Sequence, residues 1–272
     1  VPVEPKLYDA SNPIDVCIGY DEFIYVVDSA TSEIARYDMA FQPQGRLFIP
    51  GLTKVVQDRT FNLLAIGTSD TIVNGVDYDL TTIYRIDFES NGVLDFGFAS
   101  IEKVAVHPFY FKNSFSSSDA VVKCTGIAVQ GGVSGKLNNR YYVSRTGENL
   151  KNAGFGPDNA VLTFSNSDEF VSGIPVTAAG AVYSDYFKGP MALASFTQPP
   201  QIAARPSQDF WVINDDEDQA IQVQHIQFEE GPFGAVYQPI FYSTTDPNTR
   251  GYLQTANRFH SPADIAFAGD AS

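Results

Sequence analysis

Residues 12–38 read NPIDVCIGYDEFIYVVDSATSEIARYD, and this stretch decides the fold. A short apolar segment follows a proline, a polar turn comes next, and an apolar run then ends at Asp28. The polar or small residues of DSATSE lead on to a third segment that opens at Ile34. Short segments rich in Val, Ile and Tyr and bounded by Gly, Pro, Asn and Asp are typical of β-strands. The stretch therefore predicts three consecutive strands joined by tight turns.

The same pattern recurs along the chain. PPQIAARPSQDFWVINDDEDQAIQVQHIQF (199–228) matches it nearly element by element, with FWVIN in the place of IYVVD. Looser or shorter copies occupy three other segments: 54–88, 125–167 and 262–267. Strand repeats at intervals of roughly 40–75 residues, without any window that favours an amphipathic helix, are typical of β-propeller blades. We predict an all-β chain that forms a β-propeller of four-stranded antiparallel blades.

The repeats also give the domain organisation, which we predict to be a single propeller domain over 1–272. Its blades are expected over four ranges, with the first strand of a further blade after them: 12–50, 51–106, 120–192 and 199–255, then 260–272. Blades are apolar on both faces and must stack on two neighbours, so four blades alone leave two large faces wet. We therefore expect a portion of a longer chain. The alternative is a shorter closed ring, with residues 1–10 as an outer strand.

The order P-x-D-hydrophobic, then I/F-Y/W-V-hydrophobic-D/N, then an Ile that opens the third strand resembles the NHL-repeat β-propellers. The resemblance is carried by residues 12–38, 199–228 and 262–268 and is weaker in the other two copies. It implies a propeller, commonly with six blades. The chain departs from the family pattern in its long insertions and in lacking the usual basic residue just before the third-strand Ile. The resemblance therefore implies the fold and the blade count rather than an activity.

Charge and segment composition bear on partners and localisation. The net charge of −15 repels phosphate backbones and anionic lipid heads, so nucleic acid and direct membrane adsorption are disfavoured. No apolar run has the length of a membrane helix, and the start does not resemble a signal peptide. The acidic, Tyr- and Asp-rich blades are similar in style to Bacteroidota cell-envelope lipoproteins. That likeness implies a lipid-tethered protein facing the periplasm or the exterior; a cytoplasmic location is the alternative.

Long loops are expected to collect on one face of the propeller. In an antiparallel blade, the turns between second and third strands share a face with the connections between blades. The long segments predicted there are GTSDTIVNGVDYDL (67–80), HPFYFKNSFSSSD (107–119), SRTGENLKNAGFGPDN (144–159) and the connection 243–262. Loops carry function more often than the scaffold does. The candidate partner-binding residues are Asp70, Asp77, Asp79, Phe109, Tyr110, Phe111, Phe115 and Arg145; alternatively, the aromatics fold down and cap the core.

Signals for catalysis or metal binding are weak. Asp215, Asp216 and Asp218 form the densest carboxylate group and are the candidate calcium ligands, although the spaced loop of an EF-hand is absent. A solvated acidic turn is the ordinary interpretation. Of three widely separated histidines, His225 alternates with apolar residues and is expected on a strand, whereas His107 and His260 are expected to support turns. No G-x-S-x-G nucleophile elbow is present.

Two functions remain open from the sequence. The first is a non-catalytic propeller scaffold without a cofactor that binds a protein partner through its long-looped face, as a subunit of a cell-envelope assembly such as secretion or outer-membrane machinery. The second is a propeller enzyme with central calcium or zinc, of the lactonase, esterase or lyase type that the resemblance implies for some relatives. Cys17 and Cys124 are expected to be small buried thiols, and a bridge between them is left open.

Overall fold

The apolar segments of the sequence form β-strands. The computed structural model describes residues 10–73, 76–106, 110–112, 119–121, 123–129, 141–146, 160–164, 168, 181–182, 201–204, 209–213, 221–231 and 234–244. The chain divides into two compact units, unit 1 (Val1–Pro108) and unit 2 (Phe109–Ser272). Within the described ranges, no helix has the length and apolarity that crossing a bilayer requires.

Blade 1 is the first repeat of the sequence. Its four antiparallel strands lie side by side in chain order: β1 (Pro13–Ile18), β2 (Ile24–Asp28), β3 (Glu33–Tyr37) and β4 (Pro43–Phe48). Every residue of β2 is buried, which explains why IYVVD is apolar without alternation: the strand is covered on both faces. β4 begins with the polar sequence PQGR and is exposed or half-buried throughout, as expected of the outer edge.

Blade 2 follows with a longer hairpin and a small subdomain before its outer strand. Its elements are β5 (Lys54–Gln57), β6 (Leu63–Val73), β7 (Val76–Asp87), a small hairpin of β8 (Glu89–Ser90) and β9 (Val93–Leu94), a 3-10 helix (Phe96–Phe98) and β10 (Ser100–Val106). The sheet order is β5, β6, β7, β10. The Asp95 carboxylate accepts the Gly97 N–H at 2.6 Å and so caps the 3-10 helix.

Unit 2 contains a short hairpin and two further four-stranded sheets. The hairpin pairs β11 (Tyr110–Lys112) with β12 (Asp119–Val121). Blade 3 consists of β13 (Lys123–Val129), β14 (Tyr141–Thr146), β15 (Ala160–Phe164) and β16 (Ala181–Val182). Blade 4 consists of β17 (Gln201–Ala204), β18 (Asp209–Ile213), β19 (Ile221–Gly231) and β20 (Gly234–Thr244).

The order of the strands defines the class of fold. Each large sheet is an antiparallel meander in chain order, and within each unit the neighbouring sheets meet at their first strands, β1 against β5 and β13 against β17. This is the arrangement of β-propeller blades, so the prediction of an all-β propeller fold is confirmed. Pro13 begins β1 and Pro200 directly precedes β17, which places both prolines at the start of a first strand. A single domain that unites the two units stays a prediction, and residues 260–272 lie outside the described ranges.

The core of unit 1 lies between blade 1 and blade 2. It collects residues from both blades and from their connection: Tyr25, Val27, Ile34, Ile49, Leu52, Val55, Leu63, Ala65, Tyr84, Ile86, Phe88 and Phe96. The rings of Phe88 and Phe96 meet edge to face at 5.4 Å. Each large side chain buried here contributes roughly 1.5–3 kcal/mol. On the other face of blade 1, alternate residues of β2 and β3 form a second buried cluster of Ile24, Val26, Ala35 and Tyr37.

Two turns in unit 1 have the same five-residue construction, DMAFQ (38–42) and DRTFN (58–62). In each, the first carboxylate accepts the N–H groups two and four residues later, at 2.8–3.0 Å. The fourth residue, Phe41 or Phe61, has a left-handed backbone with φ of 60° and 66°. Outside glycine this conformation costs about 1–2 kcal/mol, because Cβ crowds the following carbonyl. The turns are therefore well hydrogen-bonded but carry an unusual residue at their strained position.

Candidate functional site

Residues 67–80 form a β-hairpin, so the prediction of a long loop in this range was wrong. β6 and β7 remain paired as far as Val73 and Val76, which leaves two residues for the connection. The paired segments are rich in Thr, Ile, Val and Tyr, which favour strands. Asn74 and Gly75 stand between them, and Asn-Gly is a strong signal for a two-residue hairpin turn. The hairpin thereby extends the two central strands of blade 2.

The three predicted aspartates of unit 1 lie on this extension. Asp70 and Asp79 are direct cross-strand partners, and Asp77 pairs with Ile72 two positions closer to the tip. Asp70 and Asp79 are both exposed. Like charges placed directly opposite each other destabilise a hairpin, on a scale of roughly 0.2–1 kcal/mol. Asp70, Asp77 and Asp79 together are referred to as the acidic hairpin.

Buried hydrogen bonds hold the base of the acidic hairpin. The hydroxyls of Ser69 and Thr82 bond across the strands at 2.7 Å, and both residues are buried. The Tyr84 hydroxyl donates to the Thr68 carbonyl at 2.6 Å. The Thr68 N–H in turn donates to the Pro50 carbonyl at 2.8 Å, which ties β6 to the connection between the blades. These hydrogen bonds thus fix the part of the hairpin that lies next to the aspartates.

The negative charges of the aspartates act on Tyr84 at the base of the hairpin. Burial raises the pKa of Tyr84, and the negative charges of Asp79 and Asp70 add to the shift, while the hydrogen bond with Ser69 acts in the opposite direction. The Tyr84 hydroxyl therefore stays protonated and keeps donating to its carbonyl partner over the physiological pH range. The acidic hairpin can therefore attract cationic groups.

The aromatic candidates lie in unit 2. Tyr110 and Phe111 belong to β11 and pair with Val121 and Ala120, so the predicted inter-blade loop 107–119 contains part of a hairpin, and describing it as a loop throughout was wrong. Alternation of apolar residues is too short in this segment to have indicated a strand. Phe109 and Phe115 lie outside the described ranges.

Arg145 is also part of unit 2. It lies in β14, one residue before the strand ends, and pairs with Cys124 of β13 and Ala160 of β15, so its prediction as part of the loop 144–159 was wrong. The structure thus brings Asp70, Asp77 and Asp79 together, and it divides the predicted set between two units, with Arg145 and the aromatics in the other one.

The metal candidates Asp215, Asp216 and Asp218 lie outside the described ranges. Elsewhere in the described part of the chain, no group of three His, Cys, Asp or Glu side chains is arranged to hold a metal ion. His225 lies in β19 opposite Trp211 and Phe241, which confirms its predicted place on a strand.

Cys17 and Cys124 are free thiols, which answers the question of a bridge between them. Cys124 is buried and Cys17 is half-buried. Burial raises the pKa of the Cys17 thiol, and the negative charge of Asp15 raises it further.

Sequence reasoning missed a buried polar network between blade 1 and blade 2. The Arg36 guanidinium lies 3.3 Å from the Asp21 carboxylate, donates to the Leu94 carbonyl at 2.6 Å and lies 3.7 Å from the centre of the Phe23 ring. Its side chain is 6% exposed and that of Asp21 is 4% exposed, so this ion pair is shielded from water. The signal in the sequence is a single arginine inside the apolar strand EIARY.

The network continues into the first strand of blade 2. The Tyr25 hydroxyl donates to Asp21 at 2.5 Å, and the Gln57 amide donates to the Tyr25 hydroxyl at 3.4 Å and to the Phe61 carbonyl at 3.2 Å. Burial and the hydrogen bond to Asp21 raise the pKa of Tyr25. The polar partners in this network belong to neighbouring turns and strands of blade 1 and blade 2. The network therefore holds the two blades together.

Comparison with known proteins finds distant similarity to solved structures. No family model and no curated protein matches the chain. An auxiliary nutrient binding protein from Bacteroides thetaiotaomicron matches with a TM-score of 0.49 and 10% identity, over 92% of this chain and 46% of that protein. The PQQ-bound aldose sugar dehydrogenase of Streptomyces coelicolor matches with 0.43 and 12%, over 84% and 81%. Virginiamycin B lyase from Staphylococcus aureus matches with 0.38 and 12%, over 89% and 73%. The chain spans less than half of the first of these proteins.

Proposed function

We propose that this chain is part of a non-catalytic β-propeller scaffold of the NHL-repeat kind, and that it binds a basic protein partner through the acidic hairpin. The partner belongs to an assembly of the cell envelope, where a lipid tether upstream of the chain would hold the propeller. In unit 2, Tyr110, Phe111 and Arg145 are proposed as partner-contacting residues in their own right.

The cross-strand pair of Asp70 and Asp79 carries the proposal. Both carboxylates are exposed, and they oppose each other on an extension of the sheet that reaches beyond the buried Ser69–Thr82 pair. The fold gains nothing from this repulsion, whereas a cationic partner surface would relieve it on binding. Such charges act mainly on the rate of association and on the choice of partner.

A capture experiment with the native cell envelope tests the proposal. The tagged chain is expected to retain a partner at low salt and to release it as salt rises. Asp70→Asn/Asp79→Asn should lose most of it, because the two charges facing the partner are gone. Asp87→Asn/Glu102→Gln removes two exposed charges elsewhere in unit 1 and should retain the partner. Equal capture by both double variants, or none by the wild type, contradicts the proposal.

A separate measurement tests the alternative function, a metal-dependent propeller enzyme. A resident calcium or zinc ion would appear in elemental analysis of the purified protein, and chelator would lower its melting temperature. We expect neither effect. A stoichiometric ion together with a chelator-dependent melt would favour the enzyme and overturn the non-catalytic assignment.

A further inference from the structure

Four turns come together at the edge of unit 1 opposite to the acidic hairpin. They join first to second and third to fourth strands in blades 1 and 2, over residues 19–23, 38–42, 58–62 and 88–99. The edge is common to both blades because β1 and β5 run in the same direction, with Asp15 beside Lys54 and Asp21 beside Gln57. This edge is referred to as the turn face.

Large apolar side chains are exposed on the turn face. They come from all four turns: Tyr20, Met39, Phe41, Phe61, Val93 and Phe98, each between 40% and 57% exposed. Single exposed apolar residues are ordinary, but a set of them on one edge marks an interaction site.

Contacts between the turns show that the turns adjoin one another. The Arg59 guanidinium lies 5.5 Å from the centre of the Tyr20 ring, which joins the first turns of the two blades. Arg36, next to the turn that carries Met39 and Phe41, donates to the Leu94 carbonyl beside Val93. The buried network described above therefore links the turns that carry these apolar residues.

On the turn face, Phe41 and Phe61 both have a backbone conformation that is unfavourable for phenylalanine. Each occupies the left-handed position of its turn and is 40% exposed. Glycine or asparagine would satisfy the same backbone without strain and without exposing a ring. Two matching choices of the unfavourable residue, in two turns of the same construction on one edge, indicate that the rings are kept for contact with another molecule.

The charge of the turn face defines the partner. Within its four segments the sequence has six acidic residues and Arg59 as the single basic one. Asp21 is paired with buried Arg36 and Asp58 with half-buried Arg85, whereas Glu22, Glu89 and Asp95 are exposed around the apolar residues. We propose that the turn face is a second docking surface, for a protein segment whose apolar side chains are flanked by lysine or arginine. With the acidic hairpin on the opposite edge, the scaffold would hold two partners at once.

Peptide selection on the full chain tests this proposal without knowledge of the partner. Immobilised protein is offered a displayed library of random dodecapeptides, and the most enriched peptide is then measured in solution as a fluorescent ligand. We expect enrichment of sequences with large apolar residues next to Lys or Arg. A matched peptide with Glu in place of Lys and Arg should bind at least about tenfold more weakly.

Variants assign the binding to the turn face. Phe41→Asn/Phe61→Asn should weaken the selected peptide about tenfold or more, because asparagine suits the left-handed backbone but removes the rings. Met39→Ser, which leaves both of those positions intact, should also weaken it and serves if the double variant does not fold. Phe48→Asn removes an exposed phenylalanine from the far end of β4, and Asp70→Asn/Asp79→Asn removes the acidic hairpin charges; both should bind within about twofold of wild type.

Other results would overturn the proposal. These are the absence of enrichment, selection of acidic peptides, or equal binding by the phenylalanine variants and the wild type. Adsorption to neutral phosphatidylcholine vesicles that these variants abolish would assign the turn face to a lipid surface instead. Concentration-dependent dimerisation that they abolish would assign it to a second copy of the chain.

Discussion

At the scale of single residues, the buried carboxylate of Asp28 binds the segment that leads into β1. It is fully buried at the end of β2 and accepts the N–H groups of Ser11, Asn12 and Ala30 at 2.7–3.1 Å. Burial opposes its charge, but these three donors, with Arg46 nearby, hold the pKa of Asp28 below its usual range. The segment before β1 is thereby fastened to the second strand.

The first prediction concerns the pH dependence of stability at Asp28. A depressed folded-state pKa contributes stability above the unfolded value of about 3.9, and this contribution is lost as pH falls through the folded-state pKa. Asp28→Asn should lower the free energy of unfolding by about 1–3 kcal/mol at pH 7 and by less near pH 2. Urea unfolding of both proteins between pH 2 and 7 measures the difference. A constant difference over this range contradicts the prediction.

The second prediction concerns the buried ion pair of Asp21 and Arg36. Arg36→Met leaves the carboxylate buried without its cation, and Asp21→Asn leaves the guanidinium without its anion. Each change should destabilise the protein by about 3–5 kcal/mol, and the double variant by much less than the sum. A double-mutant cycle from urea unfolding gives the coupling. Additive losses would mean that the two side chains do not act as a pair.

At the scale of elements, the β6–β7 hairpin has regular strand pairing but places Asp70 and Asp79 opposite each other. Our third prediction is that Asp79→Lys stabilises the protein by roughly 0.2–1 kcal/mol, because it turns a cross-strand repulsion into an attraction. Asp70→Lys/Asp79→Lys should lose this gain. The gain should also shrink in 1 M salt, where exposed charges are screened over about 3 Å. Urea midpoints at low and high salt provide the measurement.

The connection between blades 1 and 2 gives the fourth prediction. Gly51 has φ of 56°, and an added Cβ would collide with the Thr68 hydroxyl of β6. Gly51→Ala should therefore cost more than the roughly 1–2 kcal/mol of a left-handed backbone alone. Gly92→Ala is the matched control, since Gly92 has φ of 79° and open space at its Cβ position. Thermal and urea unfolding should rank the two variants in this order, and the reverse order would contradict the clash.

Some of these elements could be predicted from the sequence, and other features of the structure could not. β2 and β18 follow from the matching runs IYVVD and FWVIN, because strand period and β-propensity are local properties. The acidic hairpin could have been predicted from Asn-Gly at 74–75, but the aspartates around it made the segment look like a polar loop. The ion pair of Asp21 and Arg36 could not, since Asp21 lies in the turn before β2 and Arg36 in β3, and only the pairing of these strands in blade 1 brings them together.

For the whole molecule, the open question is whether the two compact units form one propeller. Trp211, the only tryptophan of the chain, lies in β18 of unit 2, so its fluorescence reports on that unit. The buried ion pair of Asp21 and Arg36 lies in unit 1. The two features allow the units to be perturbed and observed separately.

Our fifth prediction uses this separation. In a single propeller every blade stacks on its neighbours, so Arg36→Met should shift the fluorescence midpoint of Trp211 by the same amount as the far-UV circular dichroism midpoint. Glu102→Gln, which alters an exposed side chain, should leave both midpoints close to those of the wild type. A Trp211 midpoint that stays at the wild-type value in Arg36→Met would mean that the units unfold independently and that the single-domain prediction is wrong.

The two native thiols have a practical consequence for such experiments. Maleimide reagents attack the thiolate, which burial makes scarce at Cys17 and shields at Cys124. A cysteine introduced at exposed Glu102 would therefore react first, and the chain can carry one site-specific dye without replacement of its own sulfur atoms. Energy transfer from Trp211 to that dye would then measure a distance from unit 2 to unit 1.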